Sequence, residues 1–144
     1  MRNELEKFNE TISILVKAYL NDTLRHGDCA ACAVGNLVSY GDKSTESSRI
    51  IKWFNVFGTM RTATYCRQFE APHNYHTEAK EVIDSTGYTW PELAKIEYAF
   101  ESAPIGNNDD EWMFNGLMSV VDVLAEIHGI DLETTEKAKL QFVR

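Results

Sequence analysis

Residues 109–128 constrain the fold of this chain more than any other stretch. When they are wound at about 100° per residue, as in an α-helix, apolar side chains point in nearly every direction. The exception is a narrow polar stripe that contains Asn115, Ser119, Asp122 and Glu126. A helix with so wide an apolar surface has to be covered by other helices. We therefore predict a central helix that packs against the first helix of the chain and against a helix over residues 90–102.

Helical spacing of apolar residues continues through most of the chain, and no useful length of strand-like alternation interrupts it. The first helix carries its predicted core face at intervals of three and four residues, and Gly27 is the residue expected to end it. The residues of that face are Leu5, Phe8, Ile12, Leu15, Val16 and Tyr19. The pattern predicts a compact all-α bundle of about six to seven helices that forms a single domain over residues 1–144.

Local start and stop signals place the other helices. Asp28 is a suitable N-cap for a second helix that ends before Gly41, and residues 49–69 are ambiguous, with a helix favoured over 48–58. A short acidic helix over 76–85 ends before Gly87. Thr89 to Glu92 forms a capping-box pattern at the start of 90–102. The helix over 109–128 is expected to stop at Gly129, and the last helix is expected to start at Asp131.

Charge separates the chain into two regions. The net charge is −8 over 144 residues, and residues 70–136 contain 15 acidic side chains against two basic ones. Direct binding to nucleic acid is not expected, because phosphate recognition needs clustered Lys and Arg. The three cysteines are an odd number, and no stretch has the length of a membrane span, so we expect a cytoplasmic protein without membrane contact.

The segment HGDCAAC raises the alternative of a metal site. Cys29 and Cys32 have the spacing that wraps a turn around Zn²⁺, and His26 and Cys66 complete four ligands for a structural site. His73 and His76 are further candidate ligands. The small and apolar residues between and after the two cysteines favour a packed helix instead, in which free cysteine acts as a small hydrophobe. A redox role for the pair is less favoured still, because no strand precedes it.

A second alternative is a Mg²⁺-dependent nucleotide hydrolase. Glu78, Glu81 and Asp84 make the E-x-x-E and E-x-x-D spacings with which helical nucleotide pyrophosphatases hold Mg²⁺. The pattern is not repeated on a second helix, where Glu97 and Glu101 are four residues apart. We therefore rank this alternative below the metal site.

The leading hypothesis is a non-enzymatic interaction protein that self-associates and binds another protein, with no catalytic residues and no cofactor. Ile14 and Ala18 fall on the far side of the first helix and are modest hints of self-association. His128 lies at the negative end of its helix, where we expect a core or capping residue. The candidate residues for an interaction surface or a polar pocket are Glu97, which falls on an otherwise apolar face, and the stripe Asn115, Ser119, Asp122 and Glu126.

Overall fold

A computed structural model describes residues 2–24, 33–39 and 83–143 of the chain, and the regular structure in these ranges is α-helical. The helices are α1 (Glu4–Leu20), α2 (Ala33–Ser39), α3 (Trp90–Glu101), α4 (Asp109–His128) and α5 (Leu132–Leu140). Residues 83–86 are helical as well and lead into the turn before α3. The predicted all-α class is confirmed.

Helix α4 lies at the centre of this arrangement. It packs most extensively against α3 and also contacts α1 and α5, while α2 packs against α1 and α3. The inner side chains are almost entirely removed from solvent, including Phe8, Leu15, Leu93, Phe100, Leu117 and Leu124. The wide apolar surface that the sequence indicated is therefore covered by the two predicted neighbours and by α5.

The starts of α1, α3, α4 and α5 are each capped by a side chain. Asn3, Thr89, Asn108 and Asp131 each accept a hydrogen bond from a backbone N–H in the first turn of the helix that follows. These N–H groups have no partner within the helix, so a capping oxygen stabilises the helix start. At α3 the predicted capping box is complete, because Glu92 also accepts from the Thr89 N–H at 2.9 Å.

The end of α1 differs from the prediction. The helix stops at Leu20, well before Gly27, because Asp22 adopts a left-handed conformation with φ of 57°. The Thr23 N–H then donates to the Ala18 carbonyl at 2.9 Å, which closes the helix end. Asp is one of the few residues other than Gly that tolerate this conformation. The Asn36 side chain of α2 donates to the Thr23 carbonyl at 3.1 Å and ties the two helices together.

The burial of α1 also corrects one hint of self-association. Ile14 and Ala18 are only 7% and 6% exposed, so they belong to the core and not to a free outer face. The reason is that α2 and α4 both pack on α1, which buries a wider arc than the first apolar stripe suggested. Leu5, which was assigned to the core face, is instead 52% exposed at the first turn.

The end of α4 agrees with the prediction. Gly129 has a φ of 65°, a left-handed conformation that costs Gly little, and the Ile130 N–H donates back to the Ala125 carbonyl at 2.9 Å. In the ranges 2–24, 33–39 and 83–143, none of the helices combines the length and the apolar character that crossing a bilayer requires.

Candidate functional site

A line of hydrogen bonds runs into the core where the start of α1 meets the end of α4. His128 Nδ1 lies 2.6 Å from Glu4 Oε2, and His128 Nε2 lies 2.8 Å from Tyr88 Oη. Tyr88 Oη in turn lies 2.6 Å from Thr11 Oγ1. We call these four residues the buried polar network. Its inner members Thr11, Tyr88 and His128 are buried, while the Glu4 side chain is 45% exposed.

Helix ends and one tight turn position the network. Glu4 is the first residue of α1 and His128 the last residue of α4, so the contact places these two helix ends side by side. Tyr88 follows Gly87, whose φ of 78° allows the turn before α3. The Tyr88 N–H donates to Thr86 Oγ1 at 3.2 Å, which fixes the tyrosine backbone.

Two aromatic rings pack against the imidazole. The rings of Phe8 and Tyr88 meet the His128 ring edge to face, with centroids 6.3 Å and 5.4 Å away. These edge-to-face contacts are a favourable arrangement of aromatic groups. The two ring nitrogens make the polar contacts of this histidine, with Glu4 and Tyr88.

Arg2 contacts two members of the network, Glu4 and Tyr88. Its guanidinium forms two hydrogen bonds with the Glu92 carboxylate, at 2.7 Å and 3.0 Å, and another with Glu4 at 2.9 Å. It also donates to the Gly87 carbonyl and lies 5.3 Å from the centroid of the Tyr88 ring. Paired guanidinium–carboxylate bonds are among the stronger polar contacts in proteins. The N-terminal residues are thereby joined to the capping box of α3.

The surroundings fix the charges of the groups near His128. The hydrogen bond from Arg2, with a second one from His128, lowers the pKa of Glu4. Burial by itself would raise the pKa of Glu92, but the hydrogen bonds from Arg2 and Thr89 outweigh it, and the net shift is downward. Burial raises the pKa of Tyr88 well above its usual value, with the Thr11 bond opposing. At neutral pH both carboxyls are therefore ionised and the phenol is neutral.

The hydrogen bonds of the network connect separate structural elements. In a carboxylate–histidine pair, Nε2 is the nitrogen that would exchange a proton with a substrate. Here Tyr88 occupies that nitrogen, and Thr11 occupies the tyrosine oxygen. The polar atoms of the imidazole and the phenol are all used inside the protein, and they hold α1, α4 and the turn before α3 together.

The residues of the predicted polar stripe lie along the outer edge of α4. Asp122 and Glu126 are exposed, and Asn115 and Ser119 are half-buried. Asp122 pairs with Lys139 of α5 at 2.8 Å, and the Asn115 side chain donates to the Pro104 carbonyl at 2.9 Å. Glu97 is 7% exposed on α3, so it does not share the solvent-facing environment of the stripe.

The burial of His128 agrees with its prediction as a core or capping residue, but no sequence pattern indicated its hydrogen-bond partners. From the sequence pattern, Glu4 is an ordinary acidic residue in the first turn of an amphipathic helix, and Tyr88 is a turn residue. The one sequence signal near the network is the capping box, which places Glu92 where Arg2 binds it.

The proposed metal ligands fall mainly outside the described residues. His26, Cys29, Cys32, Cys66, His73, His76, Glu78 and Glu81 all lie there, as do residues 49–69. Asp84 is described and is exposed. Within the described part of the chain, no group of three or more His, Cys, Asp and Glu side chains could hold a metal ion. The zinc and magnesium alternatives stay predictions.

Comparison with known proteins adds no assignment: the chain matches no family model, no curated protein and no solved structure. Any functional proposal therefore depends on the geometry of the chain itself.

Proposed function

We propose that this protein is a non-enzymatic interaction domain that self-associates through residues 132–143, the segment that contains α5. The observation that carries the proposal is a group of large aliphatic side chains exposed within a short segment. Leu132, Leu140 and Val143 are 76%, 70% and 65% exposed. Grouped apolar side chains at a surface are a usual feature of protein–protein contact sites.

The segment that carries these side chains packs against α1 and is linked to α4 by an ion pair. Thr135 and Ala138 of α5 are buried, and the Phe142 ring packs against Tyr19 of α1 with centroids 6.2 Å apart. Lys139 reaches Asp122 of α4 at 2.8 Å. A rigid surface loses little conformational freedom when it binds, which favours association.

Charge favours a second copy of the chain as the partner. Residues 132–143 contain two acidic and two basic side chains, whereas the whole chain has a net charge of −8. Two copies that approach through an acidic region would repel each other, and this repulsion is smallest at a segment with balanced charge. The polar stripe borders the segment through the Asp122–Lys139 pair and would form a polar rim.

Light scattering coupled to size-exclusion chromatography tests the proposal. We expect the apparent mass of the native protein to rise with concentration and the double variant Leu132→Ser, Leu140→Ser to remain monomeric. Ile105→Ser is the matched control, because Ile105 is 60% exposed but lies in the loop between α3 and α4. A native protein that stays monomeric at every concentration, or a control that weakens association equally, would contradict the proposal.

A further inference from the structure

We propose that two copies of this chain associate with two-fold symmetry, with α5 of one copy antiparallel to α5 of the other. In this arrangement Glu133 of each copy pairs with Lys137 of the other copy. The inference rests on the proposed self-association through residues 132–143 and adds to it the orientation of the two copies and the residues that determine it. A two-fold axis is the commonest symmetry of homo-oligomers, and it brings the same surface of both copies together.

The charged residues of α5 are divided by sign along the helix. Two acidic residues come first and two basic residues follow them: Glu133, Glu136, Lys137 and Lys139. When two copies of such a helix lie antiparallel, the acidic half of each faces the basic half of the other. A parallel pair would place acid beside acid and base beside base, which opposes association. The order of the charges therefore favours the antiparallel pair.

The two exposed leucines of α5 agree with this orientation. Leu132 and Leu140 are the first and last residues of the helix, about 12 Å apart along its axis. An antiparallel pair centred midway between them sets Leu132 of each copy against Leu140 of the other, so all four leucines are buried. Glu136 lies midway between the leucines and approaches its own symmetry copy. Its carboxylate lies 3.5 Å from the Lys139 ammonium, so each copy compensates this charge internally.

The ion pair between Glu133 and Lys137 can be exchanged between copies at little cost. Within one copy the Lys137 ammonium lies 3.2 Å from the Glu133 carboxylate, and the two side chains are 73% and 81% exposed. An ion pair with this exposure contributes little to stability. The two residues are four positions apart and share one side of α5. In an antiparallel pair with two-fold symmetry, that side of one helix faces the same side of the other, which places Glu133 beside Lys137 twice.

Charge reversal at these two positions tests the arrangement. Glu133→Lys gives lysine at both positions and Lys137→Glu gives glutamate at both, so in either variant two like-charge contacts replace two ion pairs. We expect each variant to raise the dissociation constant about tenfold in sedimentation equilibrium at low salt. An equal mixture of the two variants should return to the native constant, because the lysines of one chain face the glutamates of the other. Recovery in the mixture also shows that both variants are folded.

The two variants change the net charge in opposite directions, which separates the ion pairs from a general effect of charge. Net charge alone would make Glu133→Lys associate more tightly and Lys137→Glu more weakly. Glu6→Lys and Lys95→Glu are matched controls, because they make the same changes at exposed positions on α1 and α3.

Two results overturn the arrangement while leaving self-association in place. In the first, the native protein associates but the two variants shift the dissociation constant in opposite directions, as the controls do. In the second, both variants associate weakly and their mixture does not recover. A native protein that is monomeric at every concentration overturns the proposed function, and this inference with it.

Discussion

Tyr88 joins three parts of the molecule through a single hydroxyl group. Its oxygen lies between His128 at the end of α4 and Thr11 in the middle of α1, and its backbone is fixed by Thr86. We expect Tyr88→Phe to lower the free energy of unfolding by about 1–3 kcal/mol, because it leaves buried polar atoms without their partner. Urea denaturation at pH 7 measures the loss.

A comparison with Thr11→Val tests whether the network acts as a unit. Thr11→Val keeps the Tyr88–His128 bond, so its cost should be smaller than that of Tyr88→Phe. The double variant should lose less unfolding free energy than the sum of the two single-variant losses, because both changes remove the same bond. Strictly additive losses would show that the network is not coupled.

The lowered pKa values of Glu4 and Glu92 lead us to expect a smaller free energy of unfolding in acid. The Arg2 bond lowers the pKa of Glu4, and for Glu92 the Arg2 and Thr89 bonds outweigh burial, so both lie below their ordinary 4.5 in the folded state. A depressed pKa contributes stability above the unfolded value, and this contribution disappears as pH falls through the folded value. Urea midpoints should therefore be constant above about pH 5.5 and should fall below about pH 4.5.

Arg2→Gln removes the cation common to both pairs. We expect this variant to be less stable at neutral pH and to lose less stability than the native protein when the pH is lowered. Lys137→Gln is a suitable control, because it breaks an exposed pair with Glu133 on α5 and leaves Arg2 in place. An equally steep acid dependence in Arg2→Gln would show that these carboxyls are not responsible.

Among the helices, α3 has the most complete start signal. Thr89 accepts the Glu92 N–H while Glu92 accepts the Thr89 N–H, and Pro91 lies in the first turn. We expect Thr89→Ala to cost about 1 kcal/mol, as is usual for a lost N-cap. Thr89→Ser keeps the capping oxygen and should stay close to the native value in urea denaturation.

Helix boundaries were predictable where a local side chain decides them. The starts at Thr89 and Asp131 and the end at Gly129 all follow from the residue that makes the cap. The end of α1 was not predictable in this way, because Asp22 takes the conformation that the rule assigns to Gly. In that turn the Thr23 carbonyl accepts a hydrogen bond from Asn36, thirteen residues away, and a contact over this distance cannot be predicted from the local sequence pattern.

For the molecule as a whole, the sequence predicted the helical class and the central position of α4 but not the buried polar network. The spacing of apolar residues indicates which face of a helix is buried, and Leu93, Ile96 and Phe100 of α3 are buried as their spacing indicates. It does not report which distant helix ends meet. The three bonds of the network join residues 40, 77 and 124 positions apart, a pairing that depends on how the helices pack.

The zinc alternative makes a prediction for the whole molecule, because His26, Cys29, Cys32 and Cys66 would link the first helices to residues 49–69. We expect protein purified without a metal-affinity tag to contain zinc far below one equivalent, with a melting temperature that a chelator does not change. The reason is that the sequence around Cys29 and Cys32 favours a packed helix over a metal knuckle. Elemental analysis and thermal melts measure both quantities.

Cys32→Ala supplies the control. If one equivalent of zinc is present, chelation should lower the melting temperature of the native protein, since metal-binding energy is then part of the folding energy. Cys32→Ala should in that case melt at a lower temperature and no longer respond to the chelator. That pair of results would replace the packed-helix interpretation by a structural zinc site.

The bond between Glu4 and His128 has a consequence for the speed of unfolding. It joins residues 124 positions apart, and closing so long a loop has a large entropic cost until most of the intervening structure is ordered. We expect it to form after the transition state for folding, so Glu4→Gln should raise the unfolding rate and leave the refolding rate unchanged. In stopped-flow measurements the refolding arms of the two proteins should superimpose while the unfolding arms separate. This bond would then govern how long the folded state lasts and have little influence on how quickly it is reached.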